Sequence, residues 1–143
     1  MVRKELTGGV GIYTPEQTER TYAECLRRAA WQLSEGGRVI LDATFRAEST
    51  RRAALEAARR CGVPALLLLC QADPDVVRTW LANRRGDASD ADQTIFEQFS
   101  ASWQESGPLT RPAIRIVDTS GTPEEALDRA LAHLHKERLA EPA

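Results

Sequence analysis

The run Ala65–Cys70 (ALLLLC) limits the fold more than any other part of this chain. It is apolar throughout, with no polar alternation, as a strand buried on both faces should be. It is also far shorter than the ~20 residues a membrane helix needs. Two other short runs share its strand-forming character: Arg38–Thr44 (RVILDAT) and Ala113–Val117 (AIRIV).

The segments between these runs read as helices with legible starts. Thr14-Pro15-Glu16-Gln17 supplies an N-cap, a proline at the first helical position and a glutamine at the capping-box position. Tyr22, Leu26, Ala30 and Leu33 then recur at helical spacing until Gly36-Gly37 ends the turn. A second helix is predicted from Glu48 to Arg60, stopped by Gly62. Asp73-Pro74 starts a third that runs to about Asn83. Ser89 caps a fourth, which carries Ile95, Phe99 and Trp103, and Thr122-Pro123-Glu124-Glu125 opens a last one with Leu127, Leu131 and Leu134.

Strands alternating with helices predict an α/β fold with a parallel sheet and helices on both faces. Ligands in such sheets bind beyond the carboxyl ends of the strands. Asp42 and Thr44 follow the first run, Cys70-Gln71 end the second, and Asp118-Thr119 follow the third. Three strands are few for about five helices, and the chain opens with a loop and a helix rather than a strand. A piece of the sheet is missing from this pattern.

Composition narrows the function classes. The 143 residues, 42% apolar and 28% charged, suit one globular domain. A net charge of −2 argues against a dedicated nucleic-acid or membrane-surface binder. Seventeen of the 19 basic residues are arginine, a bias that a GC-rich genome also produces. Cys25, Cys61 and Cys70 have no C-x-x-C spacing and only two histidines beside them, which argues against a disulfide framework or a zinc site. The residues after Met1 lack the apolar core of a signal peptide, so a cytoplasmic protein is expected.

Arg3-Lys4-Glu5-Leu6, GIYTPEQTERTY (Gly11–Tyr22), VILDATF (Val39–Phe45), GVPALLLLC (Gly62–Cys70) and RRGDASDAD (Arg84–Asp92) occur in that order. Together they resemble the bacterial P-loop kinases known as AAA family ATPases, relatives of the gluconate-kinase and polynucleotide-kinase type. Many of these are joined to an aminoglycoside-phosphotransferase-like domain. The resemblance runs from Val2 to about Asp118. It implies a three-layer P-loop kinase-type parallel sheet in the order 2-3-1-4-5, and phosphoryl transfer from MgATP to a hydroxyl acceptor. The acceptor class stays open among sugars, nucleosides, antibiotics and polynucleotide ends.

The departure from the family is as informative. Its members open with a strand and a G-x-x-x-x-G-K-[ST] loop that holds the nucleotide phosphates. No such motif occurs in these 143 residues, and Gly8-Gly9-Val10-Gly11 reads as a linker rather than a cradle. The expectation is a partial, N-terminally truncated kinase domain with the P-loop strand and second strand absent. Its parts are an acceptor-side helix (14–36), core strands and helices (38–83), a lid (84–92) and C-terminal helices and strand (93–139). The P-loop strand is then lost, encoded upstream of Met1, or supplied by a dimer or partner chain that completes the sheet. An unpaired buried strand edge is costly, which argues against folding as an isolated monomer. A non-catalytic binding or regulatory module of the same lineage is the rival reading.

By resemblance, Asp42 lies near magnesium or the acceptor; as a strand-terminal aspartate it would equally cap a turn. Thr44 and Arg46 follow at the cleft edge, where Arg46 either clamps an anionic substrate or merely begins a helix. Arg3, Lys4, Tyr13, Thr18 and Glu19 match the family's acceptor-side elements. Arg78, Arg84 and Arg85 surround the lid bend, with Arg78 and Arg84 toward the nucleotide and Arg84 and Arg85 toward the transferring phosphoryl group. The alternative for them is a solvated helix end that complements its own dipole. Trp31, Trp80 and Trp103 read as packing anchors, and neither His133 nor His135 reads as catalytic.

Overall fold

The computed structural model describes residues 14–83 and 90–140. Arg3, Lys4, Tyr13, Ser89 and the lid arginines Arg84 and Arg85 lie outside those residues. The chain divides into two units, Met1–Asp42 and Ala43–Ala143.

The first unit is built on helix α1 (Pro15–Ser34). Thr14 caps it as its sequence predicts, the hydroxyl accepting from the Gln17 N–H at 3.2 Å, with Pro15 in the first turn. Its other end closes in a Schellman turn. Gly36 adopts φ +79°, its N–H donates to Leu33 O, and the Gly37 N–H donates to Gln32 O, each at 3.0 Å. The helix surface is polar, and Ala29 is its one buried residue.

Arg38–Thr44 departs from expectation. Among the described residues it pairs with no strand, it bends at Ala43, and Ile40 is 92% exposed. The residues are good strand formers, yet a strand is defined by its ladder, and among the described residues no neighbour supplies one. Asp42 is therefore an exposed residue in an unpaired segment rather than the end of a buried strand.

The second unit contains α2 (Glu48–Arg60), β1 (Leu67–Gln71), α3 (Pro74–Asn83), α4 (Asp90–Ala101), β2 (Ile114–Asp118) and α5 (Pro123–Lys136). β1 and β2 run parallel, with Leu67 opposite Ile114 and Gln71 opposite Asp118. The result is a mixed α/β architecture with a two-stranded sheet in place of the three-stranded one expected. Adjacent parallel strands need a long crossover, and α3 and α4 provide it.

Packing is thin. Val117 is 1% exposed, Ala57 and Ala58 of α2 are buried, and the β1 leucines are only half-buried rather than covered on both faces. Leu127 of α5 is exposed, although its sequence stripe predicts an inward face. Two tryptophans are also no core anchors: Trp31 is 64% and Trp80 46% exposed.

Helix ends in this unit follow local rules. α2 stops at Gly62 with φ +69°, where the Gly62 N–H donates to Arg59 O and the Val63 N–H to Ala58 O. α5 opens with the full capping box. Thr122 accepts from the Glu125 N–H, and the Glu125 carboxylate accepts from the Thr122 N–H at 2.9 Å.

Candidate functional site

The carboxyl ends of β1 and β2 open onto a cleft of about 510 Å³. Val77 and Trp80 of α3 and Phe96 of α4 give it apolar walls, while Gln71, Ser100 and Thr119 add polar groups. This is the end of a parallel sheet where ligands bind. The rim is fastened by short hydrogen bonds. The Thr119 N–H and hydroxyl both donate to Gln71 O, at 2.7 and 3.1 Å, and the Asp73 N–H donates to Ser120 Oγ at 2.8 Å. The Asp118 carboxylate accepts from the Ser120 N–H at 2.9 Å, and Ser120's backbone and side chain hold its carboxyl below the usual range.

A second constellation shapes the turn before α2. Arg51, only 1% exposed, donates to Phe45 O at 2.6 Å, to Arg46 O at 2.9 Å and to Gln104 O. It pairs with Glu48 at 3.1 Å and lies 4.2 Å over the Trp103 ring, a cation–π contact. Glu48 also accepts from the Thr110 hydroxyl at 2.6 Å and the Gly107 N–H at 3.0 Å. Burial pushes the Glu48 carboxyl up, but those two donors and Arg51 outweigh it and hold the group below its ordinary value. Phe45 takes φ +46°, a left-handed conformation that a phenylalanine holds only when its surroundings impose it. The guanidinium on its carbonyl is one such constraint.

The brace thereby holds the carbonyls of Phe45 and Arg46, next to Thr44 on the predicted acceptor edge. Sequence reading did not identify Arg51 or Glu48. The available signal was the i, i+3 Glu–Arg pair at the start of α2, which surface helices also carry.

The predicted site residues fall in both units. Thr18, Glu19 and Asp42 belong to the first, and all are exposed. Thr44, Arg46 and Arg78 belong to the second. Arg46 donates to Ser102 Oγ at 3.0 Å, and its carbonyl accepts from the Gln104 N–H at 3.0 Å. Arg78 is half-exposed and paired with Asp75 on its own helix, as a solvated helix side chain would be. His133 Nε2 sits 3.2 Å from Ile116 O, a structural contact.

The 143 residues contain no Walker A motif to cradle phosphates, and among the described residues no group of three or more carboxylate, histidine or cysteine side chains could hold a metal ion. No helix among the described residues is long and apolar enough to cross a membrane.

Residues 2–106 match the family model of an AAA domain. That span holds α1, α2, β1, α3, α4 and the arginine brace as far as Gln104, while β2 and α5 follow it. No curated protein and no solved structure matches the chain. With most of its length inside the match, the chain belongs to the P-loop kinase-like AAA domain family, whose members bind nucleotide.

Proposed function

We propose that this chain carries the acceptor side and lid of an ATP-dependent small-molecule kinase, and that alone it does not turn over ATP at a useful rate. The intact chemistry moves a phosphoryl group from MgATP to a hydroxyl acceptor, and positioning with charge neutralisation does most of the catalytic work. The observation that carries this reading is the family match across the RK, LDATF and RRGDASDAD elements, in a sequence with no phosphate cradle.

In this reading Asp42 is the carboxylate nearest the acceptor and metal, with Thr44 and Arg46 beside it. Arg3, Lys4, Tyr13, Thr18 and Glu19 complete the acceptor side. Arg78, Arg84 and Arg85 are the lid cations. The test is phosphate release and phosphoryl transfer from radiolabelled MgATP to a panel of sugars, nucleosides, aminoglycosides and 5′-hydroxyl oligonucleotides. The expected result is turnover indistinguishable from a protein-free blank. Turnover abolished by Asp42→Asn would overturn it.

The β1–β2 cleft favours a second reading, a non-catalytic binding module. Its aromatic and aliphatic walls with a few polar groups suit a flat, partly polar ligand. The Trp80 indole N–H resonance, followed while adenosine or a nucleoside panel is added, separates the two. A saturable shift supports the module, and none removes its main support.

A further inference from the structure

The turn that carries Thr44 and Arg46 is tied to the segment that follows α4. Arg46 Nη1 donates to Ser102 Oγ at 3.0 Å, across 56 positions of sequence. Gln104 stands at the middle of the tie and uses both main chain and side chain. Its N–H donates to Arg46 O at 3.0 Å, its carbonyl accepts from Arg51 Nη2, and its Oε1 accepts from the Glu48 N–H at 2.9 Å. The last contact replaces a helix cap, because Ala47 at the N-cap of α2 has no side-chain acceptor of its own. Gly107 and Thr110 close the same junction from Glu48.

The turn held in this way is strained. Among the described residues, Phe45 and Arg138 are the non-glycine residues with positive φ. Arg138 follows the last turn of α5, where a left-handed residue closes the helix. Phe45 precedes a helix and closes nothing. Its handedness suits Arg51 instead, because Phe45 O and Arg46 O both meet Arg51 Nη1, at 2.6 and 2.9 Å. Successive carbonyls of an extended chain point to opposite sides. Two neighbours therefore reach one nitrogen only where the chain turns between them.

We propose that the Phe45 turn and the segment 102–110 form one latch, in which the left-handed turn persists while Gln104 is docked. Arg51 is the positioning residue that couples the two. α4 supplies Phe96 and Ser100 to the β1–β2 cleft and ends at Ala101, next to the Ser102 partner of Arg46. The latch thus joins the turn at Thr44–Arg46 to a wall of the cleft. A ligand that shifts α4 alters the hold on Phe45, and by linkage a ligand that favours the left-handed turn steadies the wall. Only the description of Thr44 and Arg46 as an acceptor edge rests on the function proposed above. The coupling itself is independent of phosphoryl transfer, so the two fail separately.

The test compares Phe45→Gly with Phe45→Ala in the full chain by amide hydrogen exchange. Both lose the phenyl ring, so their difference reads the backbone. A left-handed φ costs a residue with a Cβ about 5- to 30-fold in an equilibrium and glycine almost nothing. If turn and segment open together, the Gln104 and Gly107 amides exchange about threefold or more slowly in Phe45→Gly than in Phe45→Ala. The Val63 and Leu139 amides, which close the ends of α2 and α5, exchange alike in both variants. Equal exchange of Gln104 and Gly107 in the two variants overturns the proposal. A uniform change at all four amides also overturns it, because that reports global stability alone.

Arg51→Lys is the companion variant, since an ammonium keeps the charge but cannot hold several carbonyls in a planar fork. The HN–Hα coupling and Cα shift of Phe45 should then leave their left-handed values. Unchanged values in a folded Arg51→Lys protein overturn the role given to Arg51. The glycine–alanine pair leaves Arg51 in place and decides the coupling even where Arg51→Lys does not fold.

Discussion

Arg51→Met should be among the most damaging single substitutions in this chain. The guanidinium is 1% exposed and serves three carbonyls, of Phe45, Arg46 and Gln104, besides the Glu48 carboxylate and the Trp103 face. Methionine conserves much of the stem but removes every donor. Glu48 would keep the Thr110 hydroxyl and the Gly107 N–H, yet its negative charge would lose its cation. Deleting one partner of a buried ion pair costs about 3–5 kcal/mol, against a total stability of ~5–15 kcal/mol for a typical domain.

Urea unfolding followed by tryptophan fluorescence and circular dichroism measures this directly. The midpoint should fall by more than 1 M at an m-value of ~1–3 kcal/mol/M. Arg51→Lys should lie between parent and Met, because an ammonium keeps the charge but loses the planar fork. A cost below about 1 kcal/mol for Arg51→Met would refute the reasoning. It would mean that the brace is not a major contributor to stability and that Thr44–Arg46 owe their conformation to something else.

Four further substitutions probe the brace and the helix surfaces and ends. Glu48 has a folded-state pKa below its unfolded value, so its contribution is present above the unfolded pKa of ~4.3 and is lost as pH falls through the lower folded value. Glu48→Gln should therefore flatten the acid limb of the stability curve. Glu24→Gln should flatten that limb much less, because the Arg27 and Arg28 hydrogen bonds that lower the Glu24 carboxyl lie on the fully exposed helix surface and are screened. Arg138 occupies the left-handed cap of α5 at φ +57°, where the Arg138 N–H reaches His135 O and the Leu139 N–H reaches Leu134 O. Arg138→Gly should raise thermal stability by about 1 kcal/mol. Thr122→Ala removes the capping box of α5 and should cost ~1 kcal/mol by denaturant titration.

The sequence was most legible where structure is decided locally. Thr14-Pro15 and Thr122-Pro123 locate the starts of α1 and α5 because caps depend on a few adjacent residues. The helix expected at roughly Glu48 to Arg60 also forms; its stop at Gly62 is local in the same way, while its start at Ala47 has no side-chain cap. Arg38–Thr44 is not a strand because strand formation depends on a neighbour that local propensity does not contain. β1 was found as a strand, but its half-exposed state follows from how few strands cover it.

Arg51 escaped notice because an arginine three residues after a glutamate looks the same on a solvated helix as on a buried one. Only the return of the chain at Trp103–Thr110 makes it a hub. The cleft was legible in part. Thr119 stands among the polar residues at strand ends in the sequence, but neither it nor Gln71 is among the expected site residues, and Trp80 and Phe96 enter the cleft through packing that periodicity does not reveal.

Thermal unfolding of the purified chain with and without excess MgATP tests the central claim most directly. A ligand that binds only the folded state at 100 times its Kd adds about 2.7 kcal/mol. The account predicts a transition indifferent to MgATP, as expected of the acceptor side and lid of a kinase without its phosphate cradle. A cooperative transition that rises with MgATP would contradict it and show that the cleft holds nucleotide without a P-loop.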